Sequence, residues 1–153
     1  MSEKTENPML SFIIPVQDGE NSQTVERINI AFHLAKNYGG FSEIITVIDG
    51  ADHKTCKITW LAIKFNKTST PHVRTAITYH ASTHGLAEAI KTGISRAIGE
   101  KIIILLNQNN NVEHIKNIPE LNNGFQIIED LTEIEKLNDI FLNKKSQNHQ
   151  DKN

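Results

Sequence analysis

The sequence predicts an α/β fold: a three-layer α/β/α sandwich around a mostly parallel sheet. Short apolar runs alternate with stretches of helical period from residue 10 onward. The run Lys101–Leu106 (KIIILL) is apolar without alternation, as suits a central parallel strand covered on both faces. The order of the first seven elements, β-α-β-α-β-α-β, calls for parallel pairing through right-handed crossovers.

The first strand is Leu10–Val16 (LSFIIPV), stopped by Pro15 and the polar Gln17-Asp18-Gly19-Glu20. Asn21–Tyr38 is the first helix; Val25, Ile28, Phe32 and Ala35 recur at helical spacing, and Gly39-Gly40 ends it. Glu43–Asp49 is the second strand, and a helix runs from about Asp52 to Asn66. Val73–Tyr79 is the third strand, Gly85–Ala97 a helix ended by Gly99, and Lys101–Leu106 the fourth strand. Beyond it, Glu113–Leu121 is expected as a short helix and Phe125–Glu129 as a fifth strand. Thr132–Leu142 is expected as an amphipathic helix with a Thr132/Glu135 capping box. The domain is expected to span 9–143, with a flexible segment at 1–8 and a disordered polar tail at 144–153.

The chain has 153 residues, enough for a real core in one domain. Sixteen Lys and Arg against 18 Asp and Glu leave a formal charge of −2. This near balance points to neither nucleic acid nor an acidic membrane surface. No apolar run approaches the roughly 18 residues of a membrane span, and Met1–Pro8 is unlike a signal peptide. A single cysteine, Cys56, has no disulfide partner and is read as a packed thiol in mid-helix. A cytoplasmic location is the expectation.

In such sheets ligands bind beyond the strands' carboxyl ends, where the strand order reverses. Three loops should therefore converge: Gln17–Glu20, Gly50–His53 and Asn107–Asn111. They bring Asp18, Glu20, Asp49, Asp52 and an asparagine cluster to one edge. Asp and Gly also favour turns and helix caps, so each position has a plain structural reading beside the functional one.

Three motifs resemble the family 2 glycosyltransferases, which include dolichyl-phosphate-mannose-synthase-like enzymes. Ile13-Ile14-Pro15-Val16-Gln17-Asp18-Gly19 is similar to the family's I-I-P-x-x-N-E. Val47-Ile48-Asp49-Gly50-Ala51-Asp52-His53-Lys54-Thr55 is similar to V-D-D-G-S-x-D-x-T, with Ile48 and His53 replacing carboxylates. Gly85, Ala89, Gly93, Ala97, Gly99 and Glu100 reproduce the third-helix pattern G-x-x-x-A-x-x-x-G-x-x-x-A-x-G-[DE] in full. The resemblance spans about Leu10–Asn111 and implies the nucleotide half of the GT-A nucleotide-diphospho-sugar fold, with no counterpart of the acceptor half. It implies nucleotide-binding candidates Pro15, Asp18, Glu20, Asp49, Gly50, Asp52, His53, Gly85, Asn107 and Asn109.

Where the family carries Asp-x-Asp, this chain has Asn107-Gln108-Asn109. Neutral amides hold Mg²⁺ or Mn²⁺ far more weakly than carboxylates, so no cofactor is expected unless that segment proves competent. Lys54, Arg74 or backbone N–H groups would then have to neutralise a diphosphate. His80 and His84 lie four residues apart, but without a third ligand they make a poor zinc site.

Two helices carry a second apolar stripe. Ile30, Leu34 and Tyr38 lie on one; Ile58, Leu61 and Phe65 lie on the other, beside a stripe of Cys56, Trp60 and Ile63. These six are interface candidates for self-association or for another protein. The expected function is a non-catalytic, glycosyltransferase-like module for a nucleotide or nucleotide sugar. The alternatives are an active glycosyltransferase with a metal-independent or partner-completed site, and a structural interaction module with no nucleotide.

Overall fold

A computed structural model describes residues 9–106 and the backbone of 125–128. The elements run β1 (Leu10–Val16), α1 (Asn21–Asn37), β2 (Ser42–Asp49), α2 (His53–Ser69), β3 (Arg74–His80), α3 (Leu86–Arg96), β4 (Lys101–Leu105) and β5 (Phe125–Ile128). The sheet order is β3-β2-β1-β4-β5, and every pair is parallel. The α/β class and parallel sheet expected from the sequence are what the chain forms.

Strand alternation sorts the core into two layers. Phe12, Ile14, Val16, Ile44, Ile48, Ile103 and Leu105 pack with Ile28, Ala31, Phe32 and Leu34 of α1 and Ile63 of α2. Ile13, Ile102 and Ile104 face the other way, onto Ile90 of α3. Val47 and Ile45 join that second face with Ala89. β1 and β2 are buried along their whole length, whereas β3 at the sheet edge alternates between exposed and half-buried.

The small residues of α3 have distinct duties. A Cβ at Gly93 would fall 2.5 Å from Ile13 Cγ2, so glycine sets how closely α3 approaches β1. Ala89, on the same helix, is fully buried against β2. At the amino edge of the sheet, Glu43 accepts from Ser11 Oγ (2.6 Å) and Ile98 N (2.7 Å), while Gly99 N donates to Ser11 Oγ (2.8 Å). This buried knot fastens the α3–β4 turn to β1 and β2.

Several boundaries differ from the sequence reading. α2 continues to Ser69, because the polar Lys67-Thr68-Ser69 turn finds local partners: Lys67 Nζ donates to Val73 O, and Ser69 Oγ to Asn66 O. β3 begins at Arg74 and reaches His80. Cys56 lies in the first turn of α2, half-buried, with Sγ 3.8 Å from Ala51 O.

The inner face of α2 is Thr55, Thr59 and Ile63, so within the Cys56–Trp60–Ile63 stripe Ile63 faces the core, Cys56 packs at its margin and Trp60 points away. Leu34 is fully buried, and Ile30 and Tyr38 pack against the same core. That corrects the reading of Leu34 as a free interface residue, while Ile30 and Tyr38 stay half-buried: α1 lies on the sheet and against α2, which widens its buried arc. The segments expected as helices at Glu113–Leu121 and Thr132–Leu142, and those at 1–8 and 144–153, lie outside the described residues.

Candidate nucleotide-binding crevice

The strand order reverses between β1 and β4, the switch point beyond whose carboxyl ends such sheets place a ligand crevice. Its floor is held by a residue the sequence reading passed over. Arg27 of α1 is buried, and its Nη1 donates to Pro15 O (2.9 Å) and Leu105 O (3.2 Å). Nη2 donates to Thr24 Oγ1 (3.3 Å) and lies 3.5 Å from Glu20 Oε1. One guanidinium thus ties the carboxyl ends of β1 and β4 together. Burial pulls the Arg27 pKa below its usual value, with the Glu20 charge opposing. The available signal was position: Arg27 sits between Thr24, Ile28 and Ala31 on the inward face of α1.

Pro15 is enclosed in β1, and its carbonyl is taken by Arg27. Glu20 is the residue before α1 but does not cap it through its side chain. Instead its carboxylate accepts from Gln17 N (3.3 Å) and pairs with Arg27.

Asp18 and Asp52 link two of the predicted loops. Asp52 N donates to Asp18 Oδ1 at 2.8 Å, across 34 residues of sequence. Asp52 also caps α2, its Oδ1 accepting from Thr55 N at 2.8 Å. Gly19 N lies 3.5 Å from Thr55 Oγ1, a second and longer link. Hydrogen bonds from the Thr55 backbone and side chain hold the Asp52 carboxyl below its usual pKa. Asp18, Asp52, His53 and Lys54 are all exposed at this edge.

Asp49 has a different position from the one expected. Its carboxylate is fully buried. Oδ1 accepts from His80 Nδ1 (2.8 Å) and His84 N (2.9 Å), and Oδ2 accepts from Gly85 N (2.9 Å). Burial alone would push its pKa up. The His84 N–H, the His80 ring, the Gly85 N–H and the His80 charge together outweigh that and hold it down. It shapes the loop leading into α3, and its carboxylate is enclosed by that loop.

Gly50 has φ +66°, and a Cβ there would collide with the Ser82–Thr83 backbone. Its N–H donates to His80 O (3.1 Å). The loop after β2 and the loop after β3 are therefore in backbone contact. Gly85 has φ +100° and open space where a Cβ would stand, so glycine is there for its dihedral and for the N–H that Asp49 accepts.

His80 is also committed: its Nε2 lies 2.8 Å from Thr92 Oγ1 of α3. A carboxylate can only accept, so Nδ1 carries the proton and Nε2 accepts from Thr92 when the ring is neutral. His84 stands edge-on to His80, with ring centroids 5.1 Å apart. Among the described residues no group of three or more His, Cys, Asp or Glu is placed to hold a metal ion. Arg74 opens β3 at the amino edge of the sheet, the far side from the crevice, so it is not available to a diphosphate there. Asn107 and Asn109 lie outside the described residues.

No family model matches the sequence, and no curated protein matches it. Among solved structures the fold is similar to that of a mannosyltransferase, PcManGT from Pyrobaculum calidifontis, in complex with GDP-Man and Mn²⁺. The TM-score is 0.50 and the sequence identity 18%. The match covers 64% of this chain and 27% of that one, so this chain spans well under half of the neighbour's length. The likeness supports a glycosyltransferase-like α/β fold.

Proposed function

We propose that the chain is a non-catalytic, glycosyltransferase-like module that binds a nucleotide or nucleotide sugar in the β1/β4 crevice. The observation that carries this reading is the Asp18–Asp52 bridge, which holds two loops together beside the point of strand reversal. The exposed carboxylates of Asp18 and Asp52 suit ribose hydroxyls or base N–H groups as hydrogen-bond acceptors. The first turn of α2, with His53 and Lys54, offers positive charge to a diphosphate. The neighbour's bound GDP-Man is consistent with such a ligand for this fold.

The non-catalytic part of the proposal rests on donor chemistry. Mg²⁺ and Mn²⁺ favour several charged oxygen ligands. Here Asp49 is enclosed, Asn107 and Asn109 are neutral, and Asp18 and Asp52 each have one carboxylate oxygen already accepting a backbone N–H. These residues do not suit a divalent ion, and no step through one is derived.

Calorimetric titration with UDP, GDP and their sugar conjugates, with and without Mn²⁺, tests the reading. Binding that needs no metal and weakens about tenfold in Asp18→Ala, a loss worth about 1.4 kcal/mol, is the expected result. Binding only with Mn²⁺ would restore an active transferase. No binding to a folded protein would leave an interaction module.

A further inference from the structure

α2 stands out from the molecule as a ridge. Its inner residues Thr55, Thr59 and Ile63 are buried, while its outer face presents Trp60 (47% exposed), Leu61 (46%) and Phe65 (78%). A groove of about 400 Å³ separates it from α1, with Val25 and Asn29 on the far wall. A second, of about 430 Å³, separates it from β3, floored by Ile63 and Ile77 and rimmed by Lys64 and Lys67. Clustered exposed apolar side chains of this size mark a contact surface.

Charge says what kind of contact. From His53 to Ala87 the chain holds Lys54, Lys57, Lys64, Lys67 and Arg74 and not one Asp or Glu. All 18 acids lie elsewhere, against the remaining eleven Lys and Arg. The whole-chain balance of −2 therefore conceals a basic, acid-free segment that contains α2. Lys57 and Lys64 share the outer face of α2 with the apolar trio, and Lys64 Nζ lies 4.8 Å from the centre of the Trp60 ring. α1, on the other side of the groove, has a single acid in its helix, Glu26.

We propose that α2 is a docking ridge for an anionic lipid surface. Trp, Leu and Phe flanked by lysines on an acid-free helix face is the chemistry of a helix lying in the headgroup plane. The aromatic bodies enter the interface while lysine heads reach back to the phosphates. Seventeen residues give roughly 25 Å of helix lying flat. No helix among the described residues is long and apolar enough to cross a membrane, so the contact is peripheral.

Trp60 is the only tryptophan, so its fluorescence reports on the ridge directly. The full chain is mixed with vesicles of phosphatidylcholine, with or without phosphatidylserine, at low and raised salt. The expected result is a blue shift of Trp60 emission and co-sedimentation with the anionic vesicles alone, reversed by salt. Lys57→Gln and Lys64→Gln should each weaken binding about fivefold. Phe65→Ser should reduce insertion while circular dichroism stays native. Unchanged emission with anionic vesicles at low salt overturns the proposal. So does a dimer by light scattering with Trp60 already shielded, which assigns the ridge to a second copy. Binding to an acidic peptide but not to vesicles overturns it in favour of a protein partner.

Discussion

Asp49 shows how one buried carboxylate organises a loop edge. Three N–H donors meet its two oxygens, and hydrogen bonds to a charged acceptor are worth about 1.5–3 kcal/mol each. Asp49→Ala should therefore lower stability by about 3 kcal/mol in a denaturant melt. The same bonds carry a pH signature. Because the folded pKa is depressed, this stabilisation is complete above the ordinary carboxylate range of about 4 and fades as pH falls through the lower folded value. Asp49→Asn should flatten that acid limb. Arg27→Ala should cost about 3 kcal/mol by stranding the Pro15 and Leu105 carbonyls, whereas an exposed basic residue such as Lys57 replaced by Ala should change stability by under about 0.5 kcal/mol. Thr46 offers the opposite sign. Its buried hydroxyl has no hydrogen-bond partner among the described residues, so Thr46→Val should raise stability by about 1 kcal/mol.

At the scale of elements, spacing carried most of the architecture. The unbroken apolar run of β4, the helical period of α1 and the glycines around α3 each encode a geometric need that Ile13, Ser11 and the core then satisfy. What spacing could not show is how wide an arc each helix buries. Leu34 looked like surplus apolar surface, yet α1 packs on two neighbours and encloses it. Nor could it show which polar residues are spent internally. Asp49 and Asp52 read alike in sequence, flanking Gly50 and Ala51 in the loop after β2. One is sealed by the loop after β3, which arrives from about 35 residues away; the other stays exposed. Gly50 records that meeting of loops, and Gly50→Ala should destabilise by more than about 1 kcal/mol, since both its dihedral and the Ser82–Thr83 backbone forbid a Cβ. A thermal melt of that variant beside Gly19→Ala, where the space is open, separates the clash from the dihedral.

For the whole molecule, the two edges of the sheet have separate duties. The amino edge is closed by the Ser11–Glu43–Gly99 knot, while the carboxyl edge keeps Asp18, Asp52, His53 and Lys54 exposed around an Arg27-pinned crevice. A third surface, the α2 ridge, projects from the helical layer beside the edge strand. The proposed ligand site and the proposed docking ridge use different side chains, so variants of one should leave the other intact. The most direct measurement is an amide chemical-shift map of the full chain as GDP or UDP is added without metal. Shifts concentrated in Gln17–Glu20 and Gly50–Lys54 are predicted. No shifts at saturating nucleotide, or shifts confined to the outer face of α2, would contradict a nucleotide site at the β1/β4 crevice.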